Sequence, residues 1–247
     1  GGSLIRPEAT GYGALYYADE LLKDFNDTIE GKRISISGYG NVAWGAAIKA
    51  TQMGAKVVTI SGSKGYVLDE DGVNTKEKWE YMLMMRATNS GDLRGYAEEF
   101  GAKFFPGERP WNVPVDIAMP CAYQNELNKE NAEALVKNGV KYIIETSNMG
   151  CTPEAVEVFR EAKVPFAPSK AANAGGVAVS GLEMSQNSAH LSWSSEEVDK
   201  KLHDIMVSIH DACVREGREK DGSINYIKGA NIAGFKKVAD AMCAQGY

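Results

Sequence analysis

The stretch that decides the fold runs from Arg33 to Ala43 and reads RISISGYGNVA. Its first five residues predict a short buried strand, the glycines predict a tight turn, and the residues that follow favour a helix. Gly38 permits the turn out of the strand, and Gly40 lets the backbone approach a pyrophosphate. Ala43 is small enough for helix and strand to pack closely. This strand–turn–helix context is typical of a dinucleotide-binding unit.

The residues after this turn complete the unit. A helix is predicted over residues 41–53, with Gly54 at its C-terminal end, and the next strand over residues 56–60. Strand, helix and strand thus fit within about 30 residues, the size of one βαβ unit. Since a helix N-terminus attracts anions, we expect Gly38 and Gly40 to lie against the cofactor phosphates.

Strands and helices alternate from about residue 33 to residue 170, which predicts an α/β fold. We expect a doubly wound, mostly parallel sheet of the Rossmann type, followed by C-terminal helices. A helix over about residues 10–25, with Thr10 as a possible cap, precedes the sheet. From about residue 173 the pattern predicts three helices and no strand. The whole chain, residues 1–247, is interpreted as one nucleotide-binding domain with a core over about 30–172. Residues 1–29 and 173–247 form its helical flanks.

The end of the second strand predicts which dinucleotide is bound. An NAD site usually has an acidic residue there to accept the ribose 2′-hydroxyl, but no carboxylate occurs before Asp69. Ser61, Ser63 and Lys64 instead offer two hydroxyls and an ammonium, which suit a 2′-phosphate. We therefore expect NADP, with NAD bound more weakly. The alternative is that the serines are turn residues and Lys64 faces solvent.

Charge and composition restrict the partners. The formal net charge of −6 argues against nucleic acid and against an anionic membrane surface, since both attract basic proteins. No apolar run approaches the length of a membrane span, and the N-terminus does not resemble a signal peptide. Because the four cysteines form no CxxC pair, we expect reduced thiols and a cytoplasmic location.

The long helix over about residues 195–220 carries two of the three histidines. Its apolar face is predicted to contain Val198, Leu202, Ile205, Ile209 and Cys213. His203 and His210 are seven residues apart without a matching carboxylate or cysteine, so a solvated helix is expected rather than a metal site.

Several segments resemble the cofactor-binding part of glutamate dehydrogenases. They are residues 6–13 (RPEATGYG), 38–43 (GYGNVA), 120–127 (PCAYQNEL), 173–187 (NAGGVAVSGLEMSQN) and 229–235 (GANIAGF). The resemblance extends over essentially the whole chain and is nearest to the bacterial hexameric type that uses NADP. It implies oxidative deamination of L-glutamate to 2-oxoglutarate and ammonia, with a hydride passed to NADP, or the reverse. It also implies a homo-hexamer for the intact enzyme.

The resemblance further implies roles for individual residues. On the cofactor side it places Thr10 and Asn173 near the nicotinamide carboxamide, Asn41 and Val42 in the phosphate turn, and Ala122, Gln124 and Asn148 along the nucleotide cleft. On the substrate side, Val177 and Ser180 are expected to contact the glutamate side chain, with the Ser180 hydroxyl bonding its γ-carboxylate.

No catalytic residue is assigned in this chain. The resemblance implies that the catalytic lysines and aspartate belong to an N-terminal substrate domain, toward which the helical segments 1–29 and 173–247 would pack. No lysine here, Lys170 included, matches the motifs of the catalytic lysines. We therefore expect the chain alone to bind NADP(H) without turning over glutamate. Two alternatives stay open: a dehydrogenase of leucine, phenylalanine or valine, for which an apolar residue in place of Ser180 is expected, and a stand-alone dinucleotide-binding module.

Overall fold

The computed structural model describes residues 1–247. Its strands are β1 (Arg33–Ile36), β2 (Lys56–Gly62), β3 (Gly65–Leu68), β4 (Lys103–Pro106), β5 (Ile117–Met119), β6 (Tyr142–Ile144) and β7 (Phe166–Ala167). Its helices are α1 (Ala9–Lys23), α2 (Asn41–Gln52), α3 (Lys76–Thr88), α4 (Arg94–Phe100), α5 (Lys129–Lys137), α6 (Pro153–Glu161), α7 (Ser169–Ala172), α8 (Gly175–Ala189), α9 (Ser195–Gly217) and α10 (Tyr226–Ala244).

All seven strands join one sheet in the order β4-β3-β2-β1-β5-β6-β7. Five of them, from β2 through β7 in that order, run parallel, whereas β3 and β4 extend the sheet with antiparallel pairs. The predicted mostly parallel α/β fold is therefore confirmed. Strand β2 is longer than expected and continues to Gly62, so Ser63 and Lys64 form the two-residue turn of a β2–β3 hairpin.

The sheet separates two apolar cores, as a doubly wound fold requires. One face of β1 buries Ile34 and Ile36 against α1, α2 and the C-terminal helices. The opposite face of the sheet buries Val58, Ala118 and Ile143 against the α5–α6 side. Because successive strand residues point to opposite faces, the short strands supply both cores. The flanking helical segments thus pack on the sheet core, and their docking toward a further domain stays a prediction.

The proposed cap of the first helix is wrong. Helix α1 begins at Ala9, and Glu8 occupies the N-cap position in helical backbone conformation, with no side-chain cap. Thr10 therefore lies within the first turn. Its Oγ1 faces Gly176 on α8, where an added Cβ would come within 2.4 Å of it. The hydroxyl is held at the α1–α8 contact because the two helices approach closely there.

The buried face of α9 is rotated from the predicted one. Val198, Leu202 and Cys213 are buried as expected, but Ile205 and Ile209 are only partly buried. Their places in the core are taken by Met206 and His210.

His210 is not solvated, which corrects the prediction for this residue. It is 4% exposed, and its Nε2 lies 2.9 Å from Oδ2 of Asp24 at the end of α1. The helix pattern alone did not show that α9 is covered by both α1 and α10. His203 remains partly exposed, as predicted.

No helix combines the length and apolar character needed to cross a membrane. The four cysteines are free thiols, three of them buried and Cys243 exposed.

Candidate functional site

A cavity of about 600 Å³ opens where β1, β5 and β6 end. Strand β1 is the point at which the chain order in the sheet reverses, with β2 on one side and β5 on the other. Ligands of doubly wound folds bind outside the carboxyl ends of the strands at such a point. The cavity is lined by Arg6, Thr10, Val42, Cys121, Ala122, Tyr123, Gln124, Thr146, Ser147, Asn148, Asn173, Gly176, Val177 and Ser180.

Eight of the residues predicted from the sequence line this cavity. They are Thr10, Val42, Ala122, Gln124, Asn148, Asn173, Val177 and Ser180. Residues separated by up to 170 positions in the chain are thus brought together. Gly38 borders the same space, since a Cβ added there would contact Ala122 at 3.2 Å. Gly40 and Asn41 continue from it into α2, whereas Ser61, Ser63 and Lys64 lie outside the lining.

The glycine turn has the geometry that a phosphate group needs. Gly38 has φ +81°, a conformation that side chains other than glycine adopt at a cost. Gly40 is the N-cap of α2, no side chain caps this helix, and nothing lies within 4 Å of a Cβ added to Gly40. The first N–H groups of α2 are therefore free of side-chain acceptors and approachable, which fits an anion such as a pyrophosphate.

The Ser61 side chain bonds to the glycine turn and does not line the cavity. It is buried, and its Oγ accepts a 2.9 Å hydrogen bond from the Gly38 N–H. The role predicted for Ser61 as a direct ligand of a 2′-phosphate has no support in this geometry, because the hydroxyl lies under the turn. Ser63 and Lys64 are both exposed in the hairpin turn.

A carboxylate does lie at the end of β2, although the sequence around β2 contains none. Asp92, from the loop between α3 and α4, places Oδ2 3.4 Å from the Lys64 ammonium. Hydrogen bonds from Arg94, joined by Lys64, hold the pKa of Asp92 well below its usual range. Asp92 is therefore negatively charged at neutral pH.

Arg6 is a cavity residue that sequence reasoning missed. Its Nε donates a 2.7 Å hydrogen bond to the Ser180 Oγ across the α1–α8 junction. Arg6 is the single Lys, Arg, Asp, Glu or His side chain in the lining, so the cavity carries a positive charge beside a hydroxyl. The one indication in the sequence is that Arg6 lies in residues 6–13, the first of the segments that resemble glutamate dehydrogenases.

Asn173, predicted near the nicotinamide carboxamide, and Asn148, predicted along the nucleotide cleft, bond to one another. Nδ2 of Asn173 donates to Oδ1 of Asn148 at 2.6 Å, which connects the end of α7 with the loop after β6. Both keep further amide donors and acceptors that face the cavity.

The loop after β5 is held by a buried carboxyl group. Oε1 of Glu126 accepts from the N–H groups of Ala122 and Tyr123, at 2.9 and 3.3 Å. Its Oε2 has no partner, and burial raises the pKa of Glu126 above its ordinary value. Burial likewise raises the pKa of the Cys121 thiol, so this lining residue is not an activated nucleophile.

A cationic side chain connects the two ends of the cleft. Arg109 donates to the Gly62 carbonyl at 3.1 Å and to the Tyr123 hydroxyl at 2.8 Å. It thereby ties the end of β2 to the loop after β5. Sequence reasoning assigned Arg109 no role, and no local motif marks it.

The arrangement suits binding and orientation. It offers helix N–H groups for phosphates, paired amides, and an arginine beside a hydroxyl for an anionic ligand group. The lining contains no lysine, aspartate, glutamate or histidine, the side chains that most often transfer protons in catalysis.

Comparison with known proteins agrees with this geometry. Among curated relatives, the NAD-specific glutamate dehydrogenase of Bacteroides fragilis is 60% identical, and the NADP-specific glutamate dehydrogenase of Escherichia coli is 55% identical. Each match covers 100% of this chain and 55% of the relative, so the chain spans about half the length of these proteins. A solved glutamate dehydrogenase superposes with a TM-score of 0.97 at 53% identity, over 100% of this chain and 55% of that one.

The family model described as Glutamate/Leucine/Phenylalanine/Valine dehydrogenase matches residues 1–246. This match confirms the resemblance to the family that the sequence indicated. The two relatives cited above differ in cofactor, one being NAD-specific and the other NADP-specific. With the sheet order, the glycine turn and the cavity all in place, this chain belongs to the glutamate/leucine/phenylalanine/valine dehydrogenase family.

Proposed function

We propose that this chain is the cofactor-binding part of a glutamate dehydrogenase and that it binds NADP(H) in preference to NAD(H). The intact enzyme would interconvert L-glutamate with 2-oxoglutarate and ammonia. One observation carries the proposal: a single cavity joins the helix that follows the glycine turn, through Val42, to the Arg6–Ser180 pair. A dinucleotide and a small anionic substrate would therefore meet in one space.

When bound, the dinucleotide accepts or donates the hydride. The chain's own residues would bind and orient it: the N-terminus of α2 would hold the phosphates, and Ser61 supports the turn by accepting a hydrogen bond from the Gly38 N–H. Thr10, Asn148 and Asn173 offer polar groups to the carboxamide end.

The choice of amino acid rests on the Arg6–Ser180 pair. Because Ser180 Oγ accepts from Arg6, its own proton can be donated to a substrate carboxylate. A site built to hydrogen-bond a polar group rejects an analogue without it more strongly than an apolar pocket discriminates by size. This favours glutamate over the apolar amino acids named by the family. The relatives cited above are also described as glutamate dehydrogenases.

The preference for NADP(H) rests on Lys64 and Ser63, which are exposed together in the hairpin turn. An ammonium and a hydroxyl can form charge-assisted bonds to a 2′-phosphate. The test is a titration of the chain with NADPH and with NADH, in wild type and Lys64→Ala. We expect tighter NADPH binding, which Lys64→Ala selectively weakens. Lys137→Ala, an exposed lysine on α5, is the matched control, and tighter binding of NADH to wild type would contradict the preference.

We further propose that turnover requires residues beyond this chain, since the cavity lining provides no proton-transferring lysine or carboxylate. The chain is expected to bind NADPH but to form none from NADP and L-glutamate. Glutamate-dependent NADPH formation by these 247 residues would refute this. A homo-hexamer of the intact enzyme and a cytoplasmic location are part of the same proposal, and light scattering and cell fractionation test them.

A further inference from the structure

We propose that Asp92 sets the balance between NAD(H) and NADP(H): it accepts the ribose 2′-hydroxyl of NAD(H) and competes with the 2′-phosphate of NADP(H) for Lys64. This inference rests on the proposed dinucleotide function. It deepens that function by assigning the residue that favours NAD(H), the more weakly bound of the two cofactors. Nothing in the sequence near β2 indicates it, because Asp92 follows Lys64 by 28 positions.

The loop carrying Asp92 lies directly on the end of β2. A Cβ added to Gly62 would come within 2.3 Å of the Gly91 carbonyl oxygen, and one added to Gly91 within 2.6 Å of the Ser63 Oγ. These close approaches fix the loop between α3 and α4 beside the hairpin turn. The loop thus forms a second wall beside the end of β2, where the adenosine ribose of a dinucleotide would bind.

Asp92 is the fixed member of the charged group, and Lys64 is the adaptable one. Both Asp92 oxygens accept from Arg94 Nε, at 3.0 and 3.1 Å, and Oδ1 also accepts from the Arg94 backbone N–H at 3.1 Å. The Asp92 side chain is 19% exposed, whereas that of Lys64 is 58% exposed. Because the Lys64 side chain is exposed, its 3.4 Å contact with Asp92 contributes little stability, and Lys64 can leave Asp92 at small cost.

Each cofactor then meets a different partner at the same place. The 2′-hydroxyl of NAD(H) can donate to the Asp92 carboxylate, as acidic residues do in other NAD sites. The 2′-phosphate of NADP(H) could bind the Lys64 ammonium but would be repelled by the Asp92 carboxylate, which lies 3.4 Å from that ammonium. Asp92 therefore favours NAD(H) and Lys64 favours NADP(H).

The experiment compares NADH and NADPH dissociation constants, by fluorescence titration at one ionic strength, for wild type and Asp92→Asn. Asparagine keeps an oxygen for the Arg94 N–H, so the loop geometry is retained while the charge is removed. We expect NADPH to bind about 3- to 10-fold more tightly and NADH about 3- to 10-fold more weakly, as for loss of one charged contact. In Lys64→Ala/Asp92→Asn the gain for NADPH should be lost.

The control is Asp71→Asn, which makes the same change in net charge in the exposed turn after β3, where the backbone carbonyl of Asp71 and not its side chain accepts from Asn74. An unchanged NADH-to-NADPH ratio in Asp92→Asn, with both cofactors binding wild type, would overturn the inference and leave the proposed function standing. Failure of wild type to bind either cofactor would overturn the proposed function and this inference with it. Thermal unfolding of each variant separates a loss of the loop's structure from a change in selectivity.

Discussion

The Ser61 hydroxyl of β2 and the Gly38 amide of the glycine turn are joined by a 2.9 Å hydrogen bond between buried groups. This bond crosses from the second strand to the turn after the first, and it supports the positive φ of Gly38. The shape of the phosphate turn therefore depends on a residue 23 positions away.

Replacing Ser61 with alanine is expected to weaken both cofactors by a similar factor. The variant leaves the Gly38 N–H buried without an acceptor, which costs about 1–3 kcal/mol of folding free energy, and it loosens the turn. Urea unfolding and paired NADH and NADPH titrations measure the two effects. Ser208→Ala is the matched control, since this serine is exposed on α9, away from the glycine turn in the sequence. Selective loss of NADPH binding in Ser61→Ala, with unchanged stability, would show a direct contact with the 2′-phosphate instead.

Glu126→Gln is expected to remove a pH-dependent part of the stability. Burial raises the pKa of Glu126 in the folded state. Its favourable contribution is therefore complete below its ordinary pKa of 4.5 and is lost as pH rises through the folded value. Glutamine keeps the oxygen that accepts from Ala122 and Tyr123 but carries no charge. Relative to wild type, the variant should gain stability as the pH rises above 4.5 and through the raised folded-state pKa of Glu126.

Urea midpoints of wild type and Glu126→Gln across that range check this prediction, with Glu99→Gln on an exposed face of α4 as control. Parallel pH profiles for Glu126→Gln and wild type would mean that this carboxyl group titrates alike in the folded and unfolded chains.

The predictable parts of the fold are those in which the local residue pattern matches the burial of the same residues in the structure. The unit from β1 through β2 has two almost continuously buried strands, a glycine turn and a helix of small residues, all readable within about 30 residues. The extension of β2 to Gly62 was missed, because a strand paired on both sides can continue past its apolar run. Ser63 and Lys64 form the turn of the hairpin and are not the end of a strand, which for these two residues agrees with the alternative of a turn and a solvent-facing lysine.

The site residues that escaped prediction are those placed by contacts distant in sequence. Arg6 reaches Ser180 across 174 positions, and Asp92 reaches Lys64 across 28. Neither pair has a spacing that periodicity or turn chemistry can detect. The burial of His210 escapes prediction for the same reason, because the pattern of one helix cannot show that two other helices cover it.

The contact between α1 and the C-terminal helices is expected to depend on one carboxylate. Asp24 Oδ2 accepts from the Tyr226 hydroxyl at 2.6 Å and lies 2.9 Å from His210 Nε2. Tyr226→Phe removes a hydrogen bond to a charged acceptor without changing the ring, which should cost about 1.5–3 kcal/mol. Chemical denaturation measures the loss. Tyr247→Phe, at an exposed position, should leave the midpoint unchanged, and an equal effect of both variants would contradict a specific role for Asp24.

Ser180→Ala is expected to impair the use of glutamate while leaving cofactor binding intact. If Ser180 and Arg6 bind the side-chain carboxylate of the substrate, loss of the hydroxyl removes a hydrogen bond to a charged group, and kcat/KM of the intact enzyme for L-glutamate should fall by about 10-fold or more. The ratio of activity toward L-glutamate over L-leucine should fall with it, whereas the NADPH dissociation constant should not change. Ser185→Ala is the matched control, because that hydroxyl bonds the Gly181 carbonyl on the same helix and lies outside the cavity. A variant that weakened NADPH binding and kept its preference for glutamate would place Ser180 on the cofactor side of the cavity.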